Sequence, residues 1–312
     1  MMTRRDFLKV SAGAVVLPSL AFGAEEIDWR KTLFVMDTWF WQAPPELDIP
    51  AQVRLLKKLG YGGMALSWGQ KHSERLQALL AEGLPTPGCF ITVDIDHGYP
   101  KHLSDCVKLL RSTPGTVWLA LTSKTHKKSG SSGDAPALKI IHACADECKS
   151  AGVAGVALYP HVGFWMEQMD HAIRLARTAA LPDVGVQFNQ YHWMVADRGQ
   201  NLRRTLEAAL PFLKSVSING SNENPPSILP LSEGTYDVAP ILKSLFDLNF
   251  HGPISHQGYS IKGNLAERLA AAKQTWETLR KKGPGNRAQE PSFIQRSNSA
   301  ISTALPTISG VR

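Results

Sequence analysis

The stretch Leu55-Leu56-Lys57-Lys58-Leu59-Gly60-Tyr61-Gly62-Gly63-Met64-Ala65-Leu66 carries two patterns back to back. Ile49, Val53, Leu56 and Leu59 recur at helical spacing, and Gly60 marks the end of that helix. Gly63–Leu66 then reads as a short strand without a polar position. Working outward from this junction, the same unit recurs along the chain. Strand-like runs fall at Leu33–Met36, Gly63–Leu66, Gly88–Val93, Val117–Leu121, Val153–Leu158, Val184–Phe188, Ser215–Ile218 and Pro253–Ser255. Each is followed by an amphipathic stretch, such as Leu103, Val107 and Leu110, or Leu202, Leu206, Leu210 and Leu213. Short strands that are apolar throughout and alternate with helices predict a parallel sheet covered by helices. Eight units in about 250 residues predict an α/β fold, the (β/α)8 TIM barrel. A doubly wound open sheet is the alternative. It places a glycine-rich phosphate turn after its first strand, where this chain has Met36-Asp37-Thr38-Trp39-Phe40-Trp41.

The chain ends read differently. Thr3-Arg4-Arg5-Asp6-Phe7-Leu8-Lys9 has the pattern of a twin-arginine signal, followed by an apolar run from Val10 to Phe22 broken by Gly13 and Pro18. That run is shorter than the roughly 20 apolar residues that a membrane-spanning helix needs. Ala21 and Gly23 suit a signal peptidase site. The expected organisation is a twin-arginine signal peptide over 1–23, a barrel domain over 24–283 and a disordered tail over 284–312. The expected destination is periplasmic or extracellular, reached through the twin-arginine translocase, with no stable membrane anchor.

Charge narrows the partners. Lys and Arg total 34 against 27 Asp and Glu, a net charge of +7. The leader supplies +2 of it (Arg4, Arg5 and Lys9 against Asp6). The remainder is mildly basic and lacks long Lys/Arg blocks, so no nucleic-acid partner is expected. Cys89, Cys106, Cys144 and Cys148 read as small buried residues, with a Cys89–Cys106 bridge as the alternative. Nothing in the sequence specifies an oligomer.

In a barrel of this kind the active site lies at the C-terminal ends of the strands. Those positions hold Asp37, Thr38 and Trp39; Ser67 and Trp68; Asp94, Asp96 and His97; and Thr122, Ser123 and Lys124. The second half adds Tyr159 and His161; Asn189, His192 and Trp193; Ser217, Asn219 and Asn222; and His256, Gln257 and Tyr259. Aromatic faces stack on the C–H face of a sugar ring, and amides and carboxylates bind its hydroxyls. The set therefore points to a small-molecule carbohydrate. Its substrate-binding candidates are Trp39, Trp68, Asp94, Asp96, Tyr159, Asn189, Trp193, Asn219, Gln257 and Tyr259. Asp94, Asp96 and His97 are read either as acid–base groups or as a salt-bridged rim. Asp237 is expected to cap the following helix. His72, His102, His126, His142, His171 and His251 are expected to face solvent.

Tyr61-Gly62-Gly63-Met64-Ala65-Leu66, Leu158-Tyr159-Pro160-His161 and Phe188-Asn189-Gln190-Tyr191-His192-Trp193 resemble, in this order, segments of the xylose isomerase-like TIM barrels, the sugar phosphate isomerase/epimerase superfamily. Pro230–Asp237 and Gly252–Tyr259 agree, and the resemblance runs from Leu33 to Leu279. It implies proton transfer next to a sugar carbonyl: isomerisation, epimerisation or, as a lyase, β-elimination. It also implies a divalent metal (Mn, Mg or Zn) held by Glu, Asp, His and Glu at the ends of strands five to eight. Those positions fall here on Tyr159, Asn189, Ser217 (or Asn219) and Gln257. All four are changed, and no metal ligand is assigned. Neutral amides are weak ligands for these ions, and they do not titrate. His192 falls where family members set a His against the substrate, and His161 adds a second imidazole, so these two are the catalytic candidates. A non-catalytic sugar- or polyol-binding barrel is the alternative.

Overall fold

The computed structural model describes residues 31–281, so the leader and the tail read from the sequence lie outside the described residues. Eight strands form one closed barrel in chain order: β1 (Phe34–Met36), β2 (Met64–Ser67), β3 (Gly88–Asp94), β4 (Thr116–Thr122), β5 (Val156–Leu158), β6 (Val184–Asn189), β7 (Leu213–Ile218) and β8 (Ile254–His256). Every neighbouring pair is parallel, and β8 closes on β1 through Phe34 opposite Ser255. The chain is the (β/α)8 TIM barrel that the alternating pattern predicts.

The helices among the described residues are α1 (Ile49–Lys58), α2 (His72–Ala81), α3 (Lys101–Leu110), α4 (Asp134–Ala151), α5 (Met169–Ala179), α6 (Gln190–Ala196), α7 (Leu202–Ala209), α8 (Ala239–Asp247) and α9 (Leu265–Lys281). The sequence reading lacks α6. Asn189 ends β6 and caps this short helix through its own side chain, so strand and helix abut without a turn signal between them. After β4 a 3-10 turn at Ser131–Gly133 leads into α4 at Asp134.

Alternate strand residues divide the core into two parts. Val35, Leu66, Ile91, Leu119, Leu158, Phe188, Val216 and Ile218 pack with the helices. Met36, Ala65, Trp118, Ala120, Ala157 and Tyr159 form a separate inner cluster. Three alanines there leave room for the Trp118 and Tyr159 rings, which keeps the interior filled. Gly63 and Gly155 let the chain enter β2 and β5 at close approach. With φ of 147° and 117°, a Cβ on either would fall 2.0 Å and 2.2 Å from the carbonyl oxygens of Pro85 and Asp183.

All four cysteines are buried and free, so the Cys89–Cys106 bridge is not formed. His171 departs from expectation, being buried rather than solvent-facing. Its Nε2 lies 3.2 Å from Asp134 Oδ1, and Arg174 Nε donates to the same carboxylate at 3.0 Å, which ties α5 to the start of α4. Asp237 accepts from Ala239 N at 2.9 Å, but the N-cap of α8 is Val238, so Asp237 sits one residue before the cap position expected of it.

Candidate active site at the barrel mouth

Tyr159 follows β5, Asn189 ends β6 and Gln257 follows β8, and the three side chains meet. Asn189 Nδ2 donates to Tyr159 Oη at 2.6 Å and to Gln257 Oε1 at 2.9 Å. Asn189 Oδ1 accepts from the backbone N–H of His192 at 3.1 Å, the cap of α6. A backbone N–H only donates, so this contact fixes which end of the amide is oxygen. Ser217 lies beside the group in β7, its Oγ accepting from Gln187 Nε2 at 2.5 Å and contacting Met36 Sδ at 3.6 Å. All these side chains are nearly or fully buried. Burial pushes the Tyr159 phenol well above its ordinary pKa, so it is a neutral hydrogen-bonding group.

Two imidazoles stand next to this group. The rings of His161 and His192 lie 4.0 Å apart between centroids. His161 stacks on Phe164 at 4.1 Å, and His192 meets Tyr159 edge-on at 5.7 Å. Phe90 closes the cluster, 4.9 Å from Tyr159 and 6.0 Å from His161. Burial lowers the pKa of His161, against the pull of the Val162 carbonyl. For His192, burial and the proximity of His161 act together and push the pKa far down. Both rings are therefore neutral near pH 7, and each has one protonated nitrogen.

Their backbone partners assign which nitrogen that is. His161 Nδ1 lies 2.9 Å from the Val162 carbonyl, which only accepts, so Nδ1 carries the proton and Nε2 holds the lone pair. His192 Nδ1 accepts from Val162 N at 3.4 Å, so its proton sits on Nε2. The backbone N–H and C=O of one residue, Val162, thus hold the two rings in opposite tautomers: His161 offers a base and His192 a donor. His161 is half-buried whereas His192 is buried. The mouth is open around β3 as well, where Thr92 is exposed and Phe90 and Asp94 are half-buried.

The metal implied by the resemblance does not fit these residues. The four positions that would hold it present a phenol, two amides and a hydroxyl, none of them anionic. Among the described residues no group of three or more His, Cys, Asp or Glu is placed to hold an ion. Divalent Mn, Mg and Zn depend on anionic oxygen or on imidazole and thiolate ligands, and this donor set supplies neither.

The other candidates separate by position. Trp39 packs on His256 at 4.9 Å, within the outer core. Trp193 packs on Phe188 at 5.7 Å in the same layer. Asn219 Nδ2 donates to the Gly220 and Ser227 carbonyls at 2.7 and 3.1 Å and holds the segment after β7. The structure places these three in the packing and not around the imidazoles. Asp96 is spent on the loop after β4, accepting from Ser123 Oγ, Lys124 N, and Thr125 N and Oγ1 at 2.8–3.2 Å. Desolvation opposes its ionisation, but these hydrogen bonds outweigh it and hold its pKa down to about 2. Asp94 caps the turn through Asp96 N and lies 3.3 Å from His97, the rim arrangement among the two readings of this segment. Trp68 stacks on His72 at 4.0 Å, and exposed Tyr259 meets Trp41 edge-on at 5.8 Å. A recess of about 510 Å³, lined among others by Phe40, Trp41, Lys71 and Arg75, shares no residue with the Tyr159–His161–His192 group.

The sequence reading missed Phe90 and Phe164. Phe90 sits at the inward register of β3, two residues below Thr92, and Phe164 comes three residues after His161 in the turn beyond β5. The alternation of β3 was the available signal for the first; the second had none beyond that spacing.

The chain belongs to the xylose isomerase-like TIM barrel family, whose family model matches residues 103–282. Comparison with curated proteins finds no match. Among solved structures it is similar to 3-keto-D-glucoside 4-epimerase from E. coli, at 16% identity and a TM-score of 0.63, covering 80% of this chain and 100% of that one. L-ribulose 3-epimerase aligns at 14% identity and a TM-score of 0.61, covering 83% and 99%. A xylose isomerase-like TIM barrel protein from Mycobacterium smegmatis, in complex with magnesium, aligns at 15% identity and a TM-score of 0.60, covering 80% and 97%. The fold is that of sugar isomerases and epimerases.

Proposed function

We propose that this protein is an exported sugar-binding barrel that moves a proton next to the carbonyl of a sugar or keto-sugar, by isomerisation, epimerisation or β-elimination. The observation that carries this reading is the pair of imidazoles at the barrel mouth, 4.0 Å apart, with His161 Nδ1 against the Val162 carbonyl and His192 Nδ1 against the Val162 N–H. A carbon acid beside a carbonyl needs a base to take its proton and a donor at the oxygen that gains charge. His161 Nε2 supplies the lone pair, and the neighbouring ring supplies an N–H. Tyr159, which accepts from Asn189, keeps its own O–H proton for a second hydrogen bond to that oxygen. Phe90 and Phe164 supply apolar ring faces of the kind that cover a sugar. Export rests on the Arg4-Arg5 leader pattern alone.

The test is solvent deuterium exchange at the carbon next to the carbonyl, across a panel of keto-sugars in chelator-treated buffer. Exchange by the wild type is expected, with a loss on the order of 10²–10⁴-fold in His161→Asn, the usual contribution of a positioned base. The changed carboxylate positions favour one other reading, a binding barrel without catalysis. Saturable sugar binding with no exchange by the wild type would establish that reading instead.

A further inference from the structure

The cation implied by the family meets more than weak ligands here; it meets an amide turned the wrong way. Both hydrogens of the Asn189 amide are spent on Tyr159 Oη and Gln257 Oε1, at 2.6 and 2.9 Å. The electropositive end of the amide therefore points into the space between the β5, β6 and β8 ends. Rotating the amide by half a turn would bring its oxygen there, but Nδ2 would then face the N–H of His192, donor against donor, and the cap of α6 would be lost. The cap thus locks the polarity of the site. Gln257 Oε1 is committed to the same contact, and Tyr159 is an un-ionised phenol.

We propose that Asn189, held by the α6 cap, makes this site a neutral brace in which Tyr159–Asn189–Gln257 takes the place of a divalent cation, and that the protein does not bind Mn²⁺, Mg²⁺ or Zn²⁺ there. The proposal stands apart from the substrate and from catalysis, because it is read by metal binding alone. It also gives the two buried neutral amides a purpose. They join three strand ends that a cation would otherwise join, with both Asn189 amide hydrogens paired.

The experiment measures Mn²⁺ binding by electron paramagnetic resonance and titration calorimetry on the purified chain and on two variants. The wild type is expected to show no stoichiometric site and no shift in melting temperature with MnCl2. Asn189→Asp keeps the cap, since a carboxylate oxygen accepts from His192 N. Combined with Tyr159→Glu and Gln257→Glu it is expected to gain one Mn²⁺ site and a metal-dependent rise in melting temperature. One equivalent of Mn²⁺ in the wild type that is lost in Gln257→Ala would overturn the proposal, as would a folded triple variant that binds none. Should the triple variant fail to fold, the wild type still decides. The side-chain NH2 resonances of Asn189 are expected to stay sharp when Mn²⁺ is added, and their paramagnetic broadening would refute the brace.

Discussion

Val162 contributes no side-chain chemistry to the proposed site, yet its backbone N–H and C=O set the protonation of both imidazoles. Its carbonyl fixes the proton on His161 Nδ1 and its N–H takes the lone pair of His192 Nδ1. Sequence shows two histidines at neighbouring strand ends; it does not show which nitrogen each uses, because that depends on one backbone unit between them. The same limit applies to Asn189. Its position at the end of a strand is legible, whereas its service as an α6 cap, which orients the amide, is not. Tyr159→Phe removes the acceptor for one Asn189 hydrogen and leaves a buried donor unpaired. The expected loss is about 1–3 kcal/mol of unfolding free energy, read by denaturant titration. The double variant Tyr159→Phe/Asn189→Leu removes both partners of that bond, but it also removes the α6 cap, and is expected to lose more than the single change.

At the scale of elements, the strands are readable because each centres on a short, mainly apolar run bounded by turn residues. Their observed limits differ from the expected ones by a few residues at most, as at β5, which starts at Val156. Side-chain direction was harder to read. Trp39, Trp193 and Asn219 sit at or near strand ends like the site residues, but they turn toward the helix layer or the β7 segment, and only the register separates the two groups. Asp96 shows the same ambiguity: a carboxylate at a strand end reads as chemistry, and the structure spends it on a loop. Asp96→Ala is expected to free residues 123–126 from β3 and to make the loop a preferred cut in limited proteolysis, while the barrel stays folded. The glycine before β5 is a matter of reach. Gly155→Ala would set a Cβ against the Asp183 carbonyl at positive φ, and is expected to cost on the order of 1–3 kcal/mol, visible as a lower melting temperature.

The molecule as a whole carries buried neutral histidines, and this sets its acid stability. Burial pushes His256 down to about 3. It also lowers His171, which Arg174 reinforces and Asp134 opposes, to about 4. Below pH 6.5 the unfolded chain takes protons on these rings that the folded chain refuses, so stability is full above 6.5 and lost as pH falls toward 4. Asp37 works in the opposite direction. Burial raises it to about 6 despite Ser67 and Arg75, so it favours the folded state as pH falls from 6 toward 3.8. With more histidines than raised carboxylates of this kind in the core, denaturation midpoints are expected to fall between pH 6.5 and 4, and less steeply in His256→Gln. The imidazole pair at the mouth belongs to the same set, and its neutrality is the centre of the account. Nitrogen-15 spectra of histidine-labelled protein at pH 7 test it directly. Both rings are expected to be neutral, with the proton on Nδ1 in His161 and on Nε2 in His192. A charged ring at that pH, or the same tautomer in both, would contradict it.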